Sequence, residues 1–380
     1  MIPIAIPHLV GREGQYLQEC VHSGFVSSVG PFVSRFEAMV ADAAGASRAV
    51  ATSAGTTGLH AALVAVGVGR DDLVILPSLT FIASANAIAH TGAGPWLLDV
   101  DEATWSLDPA LLEHALDQLT TPADKGPVHK ETGRRVGAIM PVFCLGLPAD
   151  MDPIVRIARR FGIPIVVDGA ASLGATYRRR PVCQLGADLT VFSFNGNKTV
   201  TAGGGGAVAG HNEDLCQLVQ HLTTTARIGA EYEHDRVGFN YRMTNLQAAV
   251  GCAQLENLGA FLARKRCIRQ RYNAAFGQLA AVRPFPAPSW AESACWFSGF
   301  ILEKGDPDSL RAALRAAGID ARPFWKPIHL QKPYKDAPRT TQPRSEGVWR
   351  RIITLPCSTG ISDEELDFVI TSAKEALRSI

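Results

Sequence analysis

The sequence predicts an α/β fold. A mostly parallel sheet lies between helices in residues 1–245, and a smaller α+β part, reached through a long helix, occupies residues 246–380. Three observations predict it. Short apolar, β-branched runs alternate with helical-length stretches over the first two-thirds of the chain, the pattern of strand–helix–strand units. Several runs are apolar on both faces, as Ile163-Pro-Ile-Val-Val167 is, which suits strands covered by helices on each side. The texture then changes near Asn245, where helical periodicity takes over.

In order, the candidate strands are Arg48–Thr52, Leu73–Leu76, Trp96–Val100, Val136–Val142, Ile163–Asp168, Leu189–Ser193 and Ala207–Ala209. Helix-like segments lie between them near Thr56–Val66, Pro109–Gln118 and Met151–Phe161. From Asn245 to about Phe276, apolar residues at Leu246, Ala249, Val250, Leu255, Leu258 and Leu262 read as one long helix. A Pro-rich connection, Arg283-Pro-Phe-Pro-Ala-Pro288, leads to a strand-like Ala294–Leu302, a helix near Ser309–Ala317 and a last helix from Asp363. Repeats and low-complexity tracts are absent.

Hydrophobic residues make up 47% of the 380, enough for a sizeable core. Lys plus Arg (37) balances Asp plus Glu (36), so net charge does not draw the chain to nucleic acid or an anionic membrane. The N-terminus, Met1-Ile-Pro-Ile-Ala-Ile-Pro-His-Leu-Val10, does not read as a signal peptide, and no apolar run reaches membrane-spanning length. Eight scattered cysteines without C-x-x-C spacing read as reduced, mostly buried thiols and not as a disulfide or zinc framework. No metal site is expected, and the expected location is the cytoplasm.

Four segments carry chemistry. In Asp188-Leu-Thr-Val-Phe-Ser-Phe-Asn-Gly-Asn-Lys-Thr-Val-Thr-Ala-Gly-Gly-Gly-Gly206, a strand ends at Ser193 and Lys198 follows a turn. Four glycines add no packing, so they suit a place where backbone approaches something closely. A lysine at a strand's carboxyl end is placed to enter the crevice where open α/β sheets bind ligands. A surface lysine in a glycine-rich hairpin fits equally well. In Pro164-Ile-Val-Val-Asp168-Gly-Ala-Ala171, a carboxylate closes an apolar strand, which is costly unless something cationic meets it. A helix N-cap is the plainer reading. Lys198 and Asp168 together match what a pyridoxal cofactor needs, an amine to form the imine and an acid to keep the pyridine nitrogen protonated.

Thr52-Ser-Ala-Gly-Thr-Thr-Gly58 places small residues and hydroxyls at a helix start, where free N–H groups bind anions; an ordinary capped helix is the rival reading. Ser193 adds a hydroxyl for the same phosphate. In Leu76-Pro-Ser-Leu-Thr-Phe-Ile-Ala-Ser84, Phe81 is suited to lie flat on a pyridine ring, although a lone Phe is more often core.

Together these segments resemble the sugar aminotransferases of the DegT/DnrJ/EryC1/StrS family, a branch of the fold-type-I pyridoxal-phosphate enzymes. The resemblance extends to Gly24-Phe-Val-Ser-Ser-Val-Gly30, Gly92-Ala-Gly-Pro-Trp-Leu-Leu-Asp-Val-Asp101, Gly238-Phe-Asn-Tyr-Arg-Met-Thr-Asn-Leu-Gln-Ala248 and Arg322-Pro-Phe-Trp-Lys-Pro-Ile-His329. It implies pyridoxal 5′-phosphate as cofactor, with the pyridoxamine form as intermediate, and ping-pong transamination from L-glutamate to a keto sugar. Lys198 would be the Schiff-base lysine, Asp168 the partner of the pyridinium nitrogen and Phe81 the stacking ring. Gly55, Thr56 and Ser193 would hold the phosphate. Asn240 would reach the partner subunit's phosphate, making the working unit a homodimer with shared active sites. Trp325 and His329 would line the substrate pocket, and Arg242 would help bind an anionic substrate group.

Two departures stand out. Many relatives carry Gln or Glu and then His after the aspartate, where this chain has Ala171 and Leu173. Asn195-Gly-Asn197 before the lysine looks like the branch that aminates 4-keto-6-deoxy N-acetylhexosamine nucleotides towards bacillosamine or legionaminic acid. A nucleotide-linked 4-keto-6-deoxyhexose is the expected acceptor, and an octulosonate-type keto-sugar acid stands as an alternative. A sugar dehydratase of the same family would carry histidine at the lysine position. A regulator would carry an added DNA-binding domain, and a nicotinamide enzyme a G-x-G-x-x-G after the first strand. None of these features is present.

Overall fold

The computed structural model describes residues 1–379. Its centre is a layered sheet. Strands β1 (Arg48–Thr52), β2 (Leu73–Pro77), β3 (Gly94–Leu98), β4 (Val136–Ile139), β5 (Val166–Asp168), β6 (Leu189–Ser193) and β7 (Gly206–Gly210) form a three-stranded group, β3-β2-β4, and a four-stranded group, β5-β6-β7-β1. The two groups join where β4 meets β5, through parallel bridges Ile139–Ile165 and Val142–Asp168. Only β7 runs antiparallel to its neighbours β6 and β1. The expected parallel sheet is present, with shorter ladders than the apolar runs suggested. Residues 140–142 and 163–165 contribute bridges and single hydrogen bonds but no regular strand pairing, because Pro141 and Pro164 have no N–H to donate.

Helices cover both faces. Helices α1 (Glu13–Ser23) and α2 (Pro31–Ala44) pack with α8 (Asn245–Leu255) on one side. The others in this part are α3 (Gly55–Ala65), α4 (Ile82–His90), α5 (Pro109–Leu119), α6 (Met151–Phe161) and α7 (Glu213–Thr223). Local signals explain their starts: Asp108 caps α5 by accepting from Ala110 N (2.8 Å) and Leu111 N, with Pro109 at the first position. Phe36 on α2 is fully buried, edge-on to Phe194 at 4.8 Å, and a Cβ on Gly251 of α8 would lie 2.6 Å from its ring. Phe36→Ala is therefore expected to cost about 3–5 kcal/mol in urea denaturation.

The single long helix expected from Asn245 to Phe276 is two. Helix α8 ends at Leu255 and α9 (Leu258–Phe276) begins after a break at Glu256–Asn257. The Glu256 carboxylate is drawn out by Tyr16 Oη–H (2.7 Å), Arg35 and Arg12, while Asn257 Nδ2 turns back to Ala253 O (3.0 Å). These contacts come from the N-terminal helices and cannot be read from the periodicity.

The C-terminal part holds an antiparallel sheet of β8 (Val282–Pro284), β9 (Ser298–Leu302) and β10 (Ile352–Leu355), covered by the second half of α9 and by α10 (Pro307–Ala316) and α12 (Asp363–Arg378). A short helix, α11 (Pro343–Val348), lies before β10. The N-terminal segment joins this part, since Ile2 N–H donates to Gly318 O and Cys357 N–H to Ile4 O. A separate apolar cluster, including Leu79, Leu145, Trp296, Ile301, Phe324 and Trp349, packs the two parts together. All eight cysteines are unpaired and only Cys267 is exposed. Among the described residues no helix is long and apolar enough to cross a membrane, and no group of His, Cys, Asp and Glu side chains is arranged to hold a metal.

Candidate active site

Because β1, β2, β5 and β6 are parallel, their carboxyl ends face one crevice, and β7, running backwards, brings its amino end to the same place. The crevice holds a cavity of about 340 Å3. Gly55, Thr56, Phe81, Asp168, Ser193, Lys198 and Trp325 of the expected site residues all line it.

Helix α3 starts at Gly55, so its first amides have no acceptor within the helix. A Cβ on Gly55 would stand 3.0 Å from Ser193 Cβ, so glycine there lets the end of β6 lie beside the helix start. A Cβ on Gly206 would lie 2.6 Å from the Ala54 carbonyl, which is why β7 also begins with glycine. The result is an anion cradle of N–H groups at a positive helix end, with the hydroxyls of Thr56 and Ser193 at its rim.

Asp168 lies deeper and is buried. Ser84 Oγ–H donates to its Oδ2 (2.6 Å) and Ala170 N–H to its Oδ1 (3.1 Å), while Thr80 and Ser84 hydroxyls meet at 2.9 Å. Burial pushes its pKa above the ordinary carboxylate value, against the opposing pull of Ser84, Ala170 and Lys198. No cation forms an ion pair with it among the described residues. Lys198, partly exposed onto the cavity, has its amine pushed down to about 8 by burial, with Asp168 pulling the other way. Asn197 Oδ1, one residue before, is buried without a hydrogen-bond donor.

These features fit pyridoxal phosphate: an anion cradle, a reactive amine, and a buried carboxylate that lacks a cationic partner. Aromatic walls complete the site. Phe81, about half exposed, stands 5.9 Å from Trp325, which stacks on Phe324 at 4.6 Å. Trp296 and Phe297 stack at 3.9 Å, and Lys198 Nζ lies 3.5 Å from the centre of the Trp296 indole.

Three expected residues lie elsewhere in this chain. His329 was expected to line the substrate pocket, but it is buried behind it. Its Nδ1 meets Ser78 Oγ (2.6 Å) and its Nε2 meets Glu346 (3.0 Å), so both ring nitrogens are engaged. Arg242, expected to bind an anionic group, is instead held by Glu37 (2.9 Å) and the Ala51 carbonyl. Asn240 is exposed outside the cavity, on a segment whose Tyr241 O accepts from Ser53 N–H (2.7 Å). Ala171 lines the cavity while Leu173 is buried in the core, so neither position offers a polar side chain to the site. Sequence reasoning missed Trp296 and Ser84. Ser84 closes a segment already singled out, and its spacing from Phe81 on a helix start was the available signal.

Fold and cavity together define a pyridoxal-phosphate enzyme. Residues 7–374 match the DegT/DnrJ/EryC1/StrS aminotransferase family, and the chain belongs to it. It is 37% identical to GDP-perosamine synthase of Caulobacter vibrioides, over 99% of this chain and 98% of that protein. It is 33% identical to GDP-perosamine synthase of Escherichia coli O157:H7, covering 98% of each. Among solved structures, the aminotransferase TlmJ from Streptoalloteichus hindustanus superposes with a TM-score of 0.89 at 27% identity, covering 100% of this chain and 99% of that one. DesV from S. venezuelae gives 0.87 at 30% identity, covering 97% and 95%. The chain is a pyridoxal-phosphate-dependent sugar aminotransferase.

Proposed function

We propose that the chain moves an amino group from L-glutamate to a nucleotide-linked 4-keto-6-deoxyhexose in two half-reactions that share Lys198. One observation carries this reading: an amine pushed down to about 8 shares one cavity with a buried carboxylate and an anion cradle. When bound, pyridoxal phosphate supplies an aldehyde to receive the amine and a ring that accommodates the electron pair left by a departing proton. Gly55 and Thr56 N–H groups and the Thr56 and Ser193 hydroxyls would hold the phosphate. Phe81 would stack on the ring, and Asp168 would pair with its nitrogen. Lys198 Nζ takes the substrate's α-proton and later returns it, a double duty suited to an amine that is neutral part of the time at working pH. Trp296, Phe297 and Trp325 exclude water from the reacting atoms.

The relatives' names favour a GDP-linked acceptor over the N-acetylhexosamine nucleotides suggested by Asn195-Gly-Asn197. Eight unpaired cysteines suit a cytoplasmic enzyme. The test is absorbance of the protein loaded with pyridoxal phosphate, before and after L-glutamate. The aminated form is then offered GDP-, UDP- and dTDP-linked 4-keto-6-deoxyhexoses and a keto-octulosonate, with products identified by mass spectrometry. Loss of the yellow band with L-glutamate and amination of the GDP-linked sugar are expected. An unchanged band refutes the donor, and preferential amination of another acceptor refutes the nucleotide.

The pH dependence has a definite sign. Lys198 must be neutral to attack the cofactor's aldehyde, so covalent capture by the cofactor-free chain is expected to accelerate as pH rises. It should be half-maximal near the depressed value of about 8, and not near 10.5 as for an ordinary lysine. Stopped-flow absorbance across this range checks it.

We also propose the homodimer, with Asn240 completing the partner subunit's phosphate site; its exposure outside this chain's own cavity supports that reading. Mixing Lys198→Ala and Asn240→Ala subunits is then expected to restore activity. Each mixed dimer regains one intact site, roughly a quarter of all sites after random exchange. No recovery on mixing would remove the shared-site proposal.

A further inference from the structure

Helix α9 carries two buried cations one turn apart, Lys265 at 2% exposure and Arg269 at 8%. Neither pairs with a carboxylate among the described residues. Lys265 Nζ donates instead to the carbonyls of Trp296 (2.9 Å) and Cys357 (2.7 Å). Arg269 donates to the Phe297 carbonyl and to Ser298 Oγ (3.1 Å), with its guanidinium 5.1 Å from the Phe285 ring centre. Burying ammonium and guanidinium groups without counter-ions is costly, and burial holds the Arg269 pKa below its ordinary value. Both converge on one short segment, Trp296–Phe297, which is also the wall of the cavity nearest Lys198.

The Trp296 side chain is fixed from the other side. Its indole Nε1–H donates to Asn197 O at 2.6 Å, and Asn197 directly precedes Lys198. Its backbone N–H donates to Leu145 O (3.2 Å), and the ring stacks on Phe297. The indole is 4% exposed, and its face lies 3.5 Å from Lys198 Nζ. Lys265 and Leu145 thus hold the backbone of Trp296 while the lysine's own loop holds its ring. Asp168 is the other ionisable group whose charge acts on the Lys198 amine.

We infer that Trp296 is a positioning residue for Lys198: its indole face receives the lysine amine whenever that amine is free, and Lys265 and Arg269 fix the segment that presents the indole. The aromatic face attracts the charged amine, which keeps the proton carrier beside the cavity between proton transfers. This role rests on the reading of Lys198 as the cofactor-binding lysine.

The test follows the amine itself. In the full-length chain without cofactor, Lys198 is trace-labelled with acetic anhydride across a pH series and the labelled peptide is quantified by mass spectrometry. Trp296→Leu removes the ring and is expected to lower the Lys198 midpoint by about one pH unit, a tenfold change in its protonation constant. Trp296→Phe keeps a ring without the indole N–H and is expected to lower the midpoint by about half a pH unit, a threefold change in the protonation constant. In the loaded enzyme Trp296→Leu is expected to lower kcat about tenfold with KM for the donor held. Should the leucine variant fail to fold, the phenylalanine variant decides by the same midpoint. An unchanged midpoint, with cofactor capture at Lys198 intact, overturns the role of Trp296 alone. Failure of the unaltered protein to capture cofactor at Lys198 overturns the underlying reading instead.

Discussion

Lys198→Ala is expected to abolish transamination, lowering kcat by at least about 10^4-fold, because it removes both the covalent attachment point and the proton carrier. The fold should survive. The Lys198 side chain forms no ion pair among the described residues; its specific contact is the face of Trp296. The backbone N–H that donates to Asn195 O (3.0 Å) is retained by alanine. Circular dichroism and the denaturation midpoint should therefore match the unaltered protein while covalent cofactor capture disappears. Turnover near the original rate would falsify the assignment of Lys198.

Asp168→Asn is expected to lower kcat about 10^2–10^3-fold, the scale of removing one preorganised electrostatic partner of the reacting group. Asparagine keeps the size of the side chain: its one carbonyl oxygen can still accept from Ala170 N–H, while its NH2 donates to Ser84 Oγ, whose own proton turns to the Thr80 hydroxyl, so the fold should tolerate it. Asp168→Ala is different. It leaves the buried Ser84 hydroxyl and the Ala170 amide short of an acceptor, and a stability loss of about 1–3 kcal/mol is expected in addition. Comparing the two variants by urea denaturation and by cofactor affinity separates chemistry from packing. An asparagine variant that turns over like the unaltered enzyme would mean that Asp168 serves the fold alone.

The legible parts of this protein are those with local causes. Strands β1 and β6 span the residues their runs predict, β2 runs one residue past Leu76 to Pro77, and α6 spans Met151–Phe161 as its periodicity predicts. Lys198, Asp168, Gly55, Thr56 and Ser193 could be singled out because each lies at the carboxyl end of a parallel strand or in the turn that follows it. Such an end announces itself as an apolar run followed by small or polar residues. That alignment of strand-end groups is enough to point to the cofactor class.

Other features depended on partners distant in the chain. His329 looked like a pocket residue, yet whether an imidazole faces a ligand or the interior depends on Ser78 and Glu346, which the motif around it does not contain. Arg242 is suited by its motif to an anionic substrate group, but Glu37, 205 residues earlier, holds it. The helical period from Asn245 onwards was real, but Glu256 is recruited by Tyr16 and Arg35 from the N-terminal helices, and the helix breaks there. Trp296 carried no signal beyond its strand-like surroundings; only chain folding sets it 3.5 Å from an amine 98 positions earlier. By itself, then, the sequence determined the layers, the crevice and the groups at strand ends, because period, burial and turn chemistry act over a few residues. Tertiary structure alone decided which polar groups are left free for chemistry, because each buried donor or acceptor is satisfied by whichever partner the fold delivers to it.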